Sequence, residues 1–298
     1  MNMLQRAYHF YVNTDSGVQY VSQEASDLIM NKLCDDKPCM IGRLGSTELQ
    51  TIVYFTKIKK IWPAFLHNFI EGLMIKKMAN LSGFFPENRD NILKFIQLMI
   101  EDIPLVDILG SWRREEKYLK KYLLNCIKVG LYDLEPYRHN NPWSKILEGK
   151  NVLVIHPFED SIKLQYSKRK MLFHDERVLP NFKLITIKSV QSIVNTKTDF
   201  NDWFEALNHM KSQINAIDFD IAIIGCGAYG FPLAAHVKRI GKKAVHLGGA
   251  VQILFGIKGK RWEIEDPFVS SIFNSYWIKP LTSEVPKNFK AHDGGSYW

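Results

Sequence analysis

Long hydrophobic runs are missing: no stretch of the 298 residues approaches the roughly 18 apolar positions needed to cross a bilayer. Met1 to Thr14 shows no charged-then-apolar export pattern. Both absences lead to the expectation of a cytoplasmic protein. Cysteine is sparse. Cys34, Cys39, Cys126 and Cys226 form no CxxC pair and have no His-rich neighbourhood, so neither a disulfide framework nor a zinc site is suggested. Internal repeats and low-complexity segments are absent too. Basic residues outnumber acidic ones, 39 to 31, for a net charge of +8. They are dispersed rather than gathered into an arm, which points to small anionic ligands and away from nucleic acid. What the chain does have is 46% hydrophobic residues, enough for a substantial core.

The apolar residues alternate between strand and helix patterns. Residues 22 to 34 have helical spacing, Cys39 to Gly42 reads as a short buried strand, and Thr47 to Ile58 returns to helical spacing. Helical stretches at about 65 to 80 and 88 to 101 lead to a strand-like Leu105 to Leu109 and a charged amphipathic helix from Arg113 to Ile127. After Asn140-Asn-Pro-Trp, strands at 151–155, 183–187, 219–224 and 243–247 alternate with helices at 160–170, 199–213 and 230–240. This predicts one α/β domain over 1–298, with a mainly parallel Rossmann-like sheet covered by helices on both faces. Within it, 60–140 reads as a mostly helical insertion, 150–262 as the Rossmann-like core half and 263–298 as a wrapping tail.

Ligands of such sheets sit beyond the carboxyl ends of the strands. Four polar or glycine-rich turns fall there: Arg43 to Glu48, His156 to Ser161, Gly225 to Gly230 and His246 to Gly249. The third is an apolar strand breaking into Gly225-Cys-Gly227-Ala-Tyr229-Gly230 ahead of a helix, an arrangement suited to phosphate. A dinucleotide site also needs an acid about 20 residues after the first glycine. The second strand instead ends in His246-Leu247-Gly248-Gly249, with no acid to hold a ribose, so NAD is not expected. A methyltransferase site meets the same objection, and only 68 residues follow Gly230. A tight turn that binds nothing remains open.

In the first turn, Ser46 is a good helix N-cap and Glu48 suits the first helical turn. Arg43, ending a buried strand, is harder to explain by capping, and a guanidinium there can fork onto a phosphate or carboxylate. In the second, His156 can act as a general base, bond a sugar hydroxyl, or be a buried histidine satisfied by backbone. Asp160 or Ser161 reads as the cap of the following helix. Past Gly248 and Gly249, a loop gathers Lys258, Lys260 and Arg261 beside Trp262, as a diphosphate clamp or as an exposed basic loop. The Lys57–Lys60, Lys117–Lys121 and Lys168–Lys170 clusters read as solvated helix faces, and the tail aromatics as packing.

Arg43-x-Gly45-x-x-Glu48 after a strand resembles the Arg-x-Gly-Asp-Gly-Glu segment of the GT-D type bacterial glycosyltransferases. The strand, glycine turn, helix and closing strand from 218 to 256 resemble that family as well. The resemblance covers roughly 38–60 and 218–256. It implies a nucleotide-sugar donor, a glycan acceptor and a role in surface polysaccharide assembly; the basic exterior, for its part, suits a lipid-linked acceptor and a peripheral position at the inner membrane surface. In the family an Asp-x-Glu pair lies at the metal site. Ser46 stands where the first Asp would be, which should weaken or abolish a Mn²⁺ or Mg²⁺ site resting on Glu48. The resulting candidates are Glu48, His156 and Arg43 for chemistry. Gly45, Ser46, Gly225, Gly227, Tyr229, Gly230, His246, Gly248, Gly249, Lys258, Lys260 and Arg261 are the candidates for binding. The rivals are an oxidoreductase or methyltransferase, and a non-catalytic binding or assembly protein favoured by the missing Asp.

Overall fold

The computed structural model describes residues 17–60, 63, 65, 67–193, 196–287, 289 and 293–298. The Met1 to Thr14 reading, and parts of the 57–66 and tail readings, lie outside them. Seven strands form one sheet: β1 (Cys39–Gly42), β2 (Ile108–Ser111), β3 (Ile127–Gly130), β4 (Asn151–His156), β5 (Lys183–Lys188), β6 (Ile221–Ile224) and β7 (Lys243–His246). Their spatial order is β3-β2-β1-β7-β6-β4-β5, and every pairing is parallel. The expected parallel α/β architecture is therefore present.

Helices cover both faces because the strands are apolar on both. Met40, Leu109, Leu153, Ala222 and Ala244 enter one core cluster, while their neighbours Ile41, Ile108, Val152, Ile221 and Val245 enter the other. The first cluster takes apolar residues from α2 (Ser46–Thr56), α4 (Arg89–Asp102), α6 (Trp203–Asn215) and α7 (Gly230–Arg239). The second takes them from α1 (Ser22–Cys34), α5 (Glu159–Tyr166) and the short α8 (Ala250–Leu254). α3 (His67–Ser82) lies against α2 and α4. Helix starts with side-chain caps include α4, where Asn88 accepts from Asn91 N–H at 2.8 Å, and α6, where Asp202 accepts from Glu205 N–H at 2.8 Å.

Several expectations shift. Residues 60–140 supply α3 and α4 but also β2 and β3, so this stretch builds one side of the common sheet. The expected helix from Arg113 is a 3₁₀ run, Arg114–Tyr122, followed by β3. α5 is not capped by Asp160 or Ser161. Glu284 of the tail accepts from Asp160 N–H at 2.7 Å, from Ser161 N–H at 3.2 Å and from the Ser161 hydroxyl. A carboxylate at a helix N-terminus is favoured by the dipole, and here it also ties the tail to the sheet layer. Among the described residues, no helix is long and apolar enough to cross a membrane.

Candidate functional site

The strand ends meet in one cavity of about 510 Å³. Its lining includes Arg43 after β1, Trp112 after β2, His156 at the end of β4, Ser189 after β5, Gly225 after β6, and His246 and Gly248 at and after β7. The four turns singled out in the sequence thus surround a single space. Of the predicted residues, Arg43, Gly45, Ser46, Glu48, His156, Gly225, Gly227, Tyr229, His246, Gly248, Gly249 and Arg261 line it. Gly230 stands just behind Tyr229. Two candidates fall elsewhere. The Lys258 ammonium lies 5.4 Å from the Phe273 ring centroid, and exposed Lys260 reaches the carbonyl of Gly294 at 3.4 Å. Of the predicted three-cation clamp, only Arg261 reaches the cavity.

Arg43 carries the strongest chemical signal. Its guanidinium lies 5.0 Å from the Trp112 ring centroid. Arg43 Nη2 and Trp112 Nε1 both donate to the Leu44 carbonyl, at 3.2 and 3.1 Å. Its Nε is buried with no hydrogen-bond partner, and it forms no ion pair among the described residues. Burial pulls the Arg43 pKa below its ordinary value, opposed by the nearby Tyr297 and Glu48. A buried, unpartnered Nε on a half-buried guanidinium is costly unless an anion meets it. Gly248, with φ of +61°, lets the backbone pass close by: a Cβ there would lie 3.0 Å from Arg43 Nη1. Arg261 stands within Coulombic reach of Arg43 and pairs with Glu265 at 3.5 Å.

Gly45, not Ser46, holds the N-cap position of α2, and Ser46 is the first helical residue. The Glu48 carboxylate folds back over this turn. A Cβ on Gly45 would sit 1.9 Å from Glu48 Oε2, so the glycine is what allows that position. Glu48 and Glu265 are the carboxylates among the lining residues. Among the described residues no three His, Cys, Asp or Glu side chains gather as a metal-binding group. With Ser46 in place of an acid, Glu48 is the one carboxylate of this turn.

Both histidines are held neutral. His156 Nδ1 accepts from Phe158 N–H at 3.0 Å, which leaves the proton on Nε2. Burial pushes its pKa down to about 3. In this geometry His156 is a hydrogen-bond donor, and the base role read from the sequence does not suit it. His246 is the opposite tautomer. Its Nδ1 stands 3.2 Å from the Ile224 carbonyl, which can only accept, so Nε2 is free of a proton. Burial, and then the charge of Arg43, push its pKa down to about 3.

The glycine run has a packing explanation that the sequence concealed. A Cβ on Gly225 would meet the Gly248 carbonyl at 2.4 Å, and one on Gly230 would meet the His246 ring. Gly227 alone of the three has positive φ, +56°. Tyr229 is a core residue, stacked on Trp203 at 4.8 Å with its hydroxyl 3.3 Å from that of Ser192. Sequence reasoning missed Trp112, Ser189, Glu265 and the lining role of Tyr297 and Trp298. Trp112 was legible in principle, since it follows β2 as Arg43 follows β1. The tail residues gave no such signal. A Cβ on Gly249 would lie 2.5 Å from the Tyr297 ring, so the tail closes directly onto the β7 turn.

No family model and no curated protein sequence matches the chain. Among solved structures, the chain is similar to one described as "The highly conserved domain of unknown function 1792 has a distinct glycosyltransferase fold". The identity is 10% and the TM-score 0.44, over 93% of this chain and 96% of that chain.

Proposed function

We propose that this chain is a glycosyltransferase that takes its sugar from a nucleotide diphosphate donor, bound at the carboxyl ends of β1, β7, β6 and β4, and serves surface polysaccharide assembly. The observation that carries the reading is Arg43, a half-buried arginine on the cavity wall whose Nε is sealed from water without a partner and suits an anionic oxygen such as that of a diphosphate. The sugar part rests on the Arg43-x-Gly45-x-x-Glu48 resemblance. In the reaction the bond from the anomeric carbon to the diphosphate oxygen breaks, and a bond to the acceptor oxygen forms. The acceptor proton passes to Glu48, and the diphosphate leaves with its charge offset by Arg43 and Arg261. His156 Nε2–H and His246 Nε2 offer a donor and an acceptor for neutral hydroxyls. A dinucleotide is disfavoured because β7 ends in His246 with no acid, and because Gly225 and Gly230 are occupied by packing.

A thermal-shift panel of UDP-, GDP- and CDP-sugars, NAD(P) and S-adenosylmethionine, each with and without Mn²⁺, tests this reading. A sugar nucleotide should raise the Tm of the native chain, and Arg43→Met should abolish the shift. Stabilisation by NAD(P) or S-adenosylmethionine alone would overturn the proposal.

A further inference from the structure

α3 is turned inside out relative to an ordinary surface helix. Its buried side carries Glu71, which pairs with Lys59 and with Arg89 at 2.8 Å, together with Met78, Ala79 and Ser82. Its outer side presents Phe69, 67% exposed, and Leu73, 50% exposed. Phe65, four residues before Phe69, is 81% exposed. The four-residue spacing within α3 places Phe69 and Leu73 in one row, which exposed Lys76 continues. A row of large apolar side chains held in water is unfavourable unless something covers it.

We infer that this row docks on an anionic lipid bilayer. The argument is charge complementarity. Lys76 stands exposed beside the apolar row with no acid on that face, since the one glutamate of α3, Glu71, is on the buried side and paired with Lys59 and Arg89. Lys76 follows the apolar row on its own face, so the rings enter the headgroup boundary while the ammonium meets lipid phosphates. Basic residues on the polar side and aromatic and leucine side chains on the other are what interfacial helices use. A self-association face has no need of the lysine.

The far end of the same helix belongs to the cavity, since Lys77, Leu81 and Ser82 line it. From Phe69 to Leu81 the helix rises about 18 Å. A bilayer under Phe69 therefore sets the cavity mouth close to the lipid surface. Resting on the transferase reading, this names the acceptor class: a sugar carried on a membrane-embedded lipid through a phosphate or diphosphate, with Lys77 at the entrance.

Flotation of the full chain with vesicles tests docking independently of activity. Vesicles of equal parts phosphatidylglycerol and phosphatidylcholine should bind the chain, and pure phosphatidylcholine should bind it roughly tenfold less. Phe69→Ser combined with Leu73→Ser should lower binding about tenfold or more, and Lys76→Glu by a similar factor. Unchanged circular dichroism and Tm would confirm that both variants fold, as expected for exposed side chains. Absence of wild-type binding to the anionic vesicles, or equal binding by the double variant, overturns the proposal. So does a dimer in sedimentation analysis that the double variant dissolves without any vesicle binding, which assigns the face to a second copy. Loss of docking leaves the nucleotide panel untouched, so the two proposals fail separately.

Discussion

The ring of His246 occupies the space that a side chain on residue 230 would need: a Cβ on Gly230 would lie 2.2 Å from His246 Cε1. The last glycine of the run is therefore part of the packing of α7 against β7. Gly230→Ala is expected to destabilise the fold by about 3 kcal/mol through overpacking. Gly227→Ala should cost about 1 kcal/mol, from its positive φ alone. Urea denaturation of both variants checks the order. Lost nucleotide binding at unchanged stability in Gly230→Ala would restore the phosphate explanation of this glycine.

Arg43 separates stability from binding. Removing a half-buried charge whose Nε lacks a protein partner should leave stability unchanged or raise it, so Arg43→Met is expected to gain up to about 1 kcal/mol. The same change should weaken sugar-nucleotide binding about a hundredfold, and Arg43→Lys about tenfold, because an ammonium cannot fork onto phosphate oxygens. Calorimetric titration beside thermal unfolding reads both effects. A parallel loss of stability and affinity would mark Arg43 as structural.

Glu48 is tested by an isosteric change. Glu48→Gln should lower kcat about a hundredfold or more while leaving the KM for the nucleotide donor within about threefold. Gly45→Ala should mimic it, because the added methyl takes the place of Glu48 Oε2. If Glu48→Gln keeps full kcat, the base lies elsewhere, and Glu265 is the other lining carboxylate.

Acid should destabilise the fold through the two neutral histidines. Their folded pKa values of about 3 lie below the ordinary 6.5. The unfolded chain then takes up protons first as pH falls, so the stabilisation is complete above pH 6.5 and is lost progressively from there towards pH 3. Each histidine contributes about 2 kcal/mol of loss between pH 7 and 5. Asp102 and Asp133, raised by burial to about 6, act in the opposite direction. The clean measurement is therefore a difference. The stability of His246→Gln should fall less steeply with pH over this range than that of the native chain. Identical slopes would mean that His246 is not held neutral.

Much of the fold was legible because strands buried on both faces must be apolar throughout, as Cys39-Met-Ile-Gly and Val152 to Ile155 are. β3 was not, because Ile127-Lys-Val-Gly is short and carries a charge, and the acidic and basic residues before it mimic an amphipathic helix. The convergence of turns followed from strand direction alone and was readable without knowing the strand order. Side-chain direction was not. Nothing in the spacing of Lys258, Lys260 and Arg261 says that only the last faces the cavity, and nothing local in Glu284 says that it caps a helix 124 residues earlier. His246 shows a third kind of gap, since a glycine chosen for a distant ring looks the same in sequence as one chosen for a phosphate.

In the centre of the sheet β1 pairs with β7, Met40 opposite Ala244. The first strand thus finds its inner neighbour only after some two hundred further residues have been made. Contacts of such separation form slowly and late. Neither half of the chain could assemble the crevice by itself, since Arg43 comes with the first strand and His246 and Gly248 with the last. During synthesis, binding competence should arrive all at once and near the end, and a nascent chain stopped before residue 243 would hold the Arg43 turn on one side and the His156 and Gly225 turns on the other, with the strand that joins them missing.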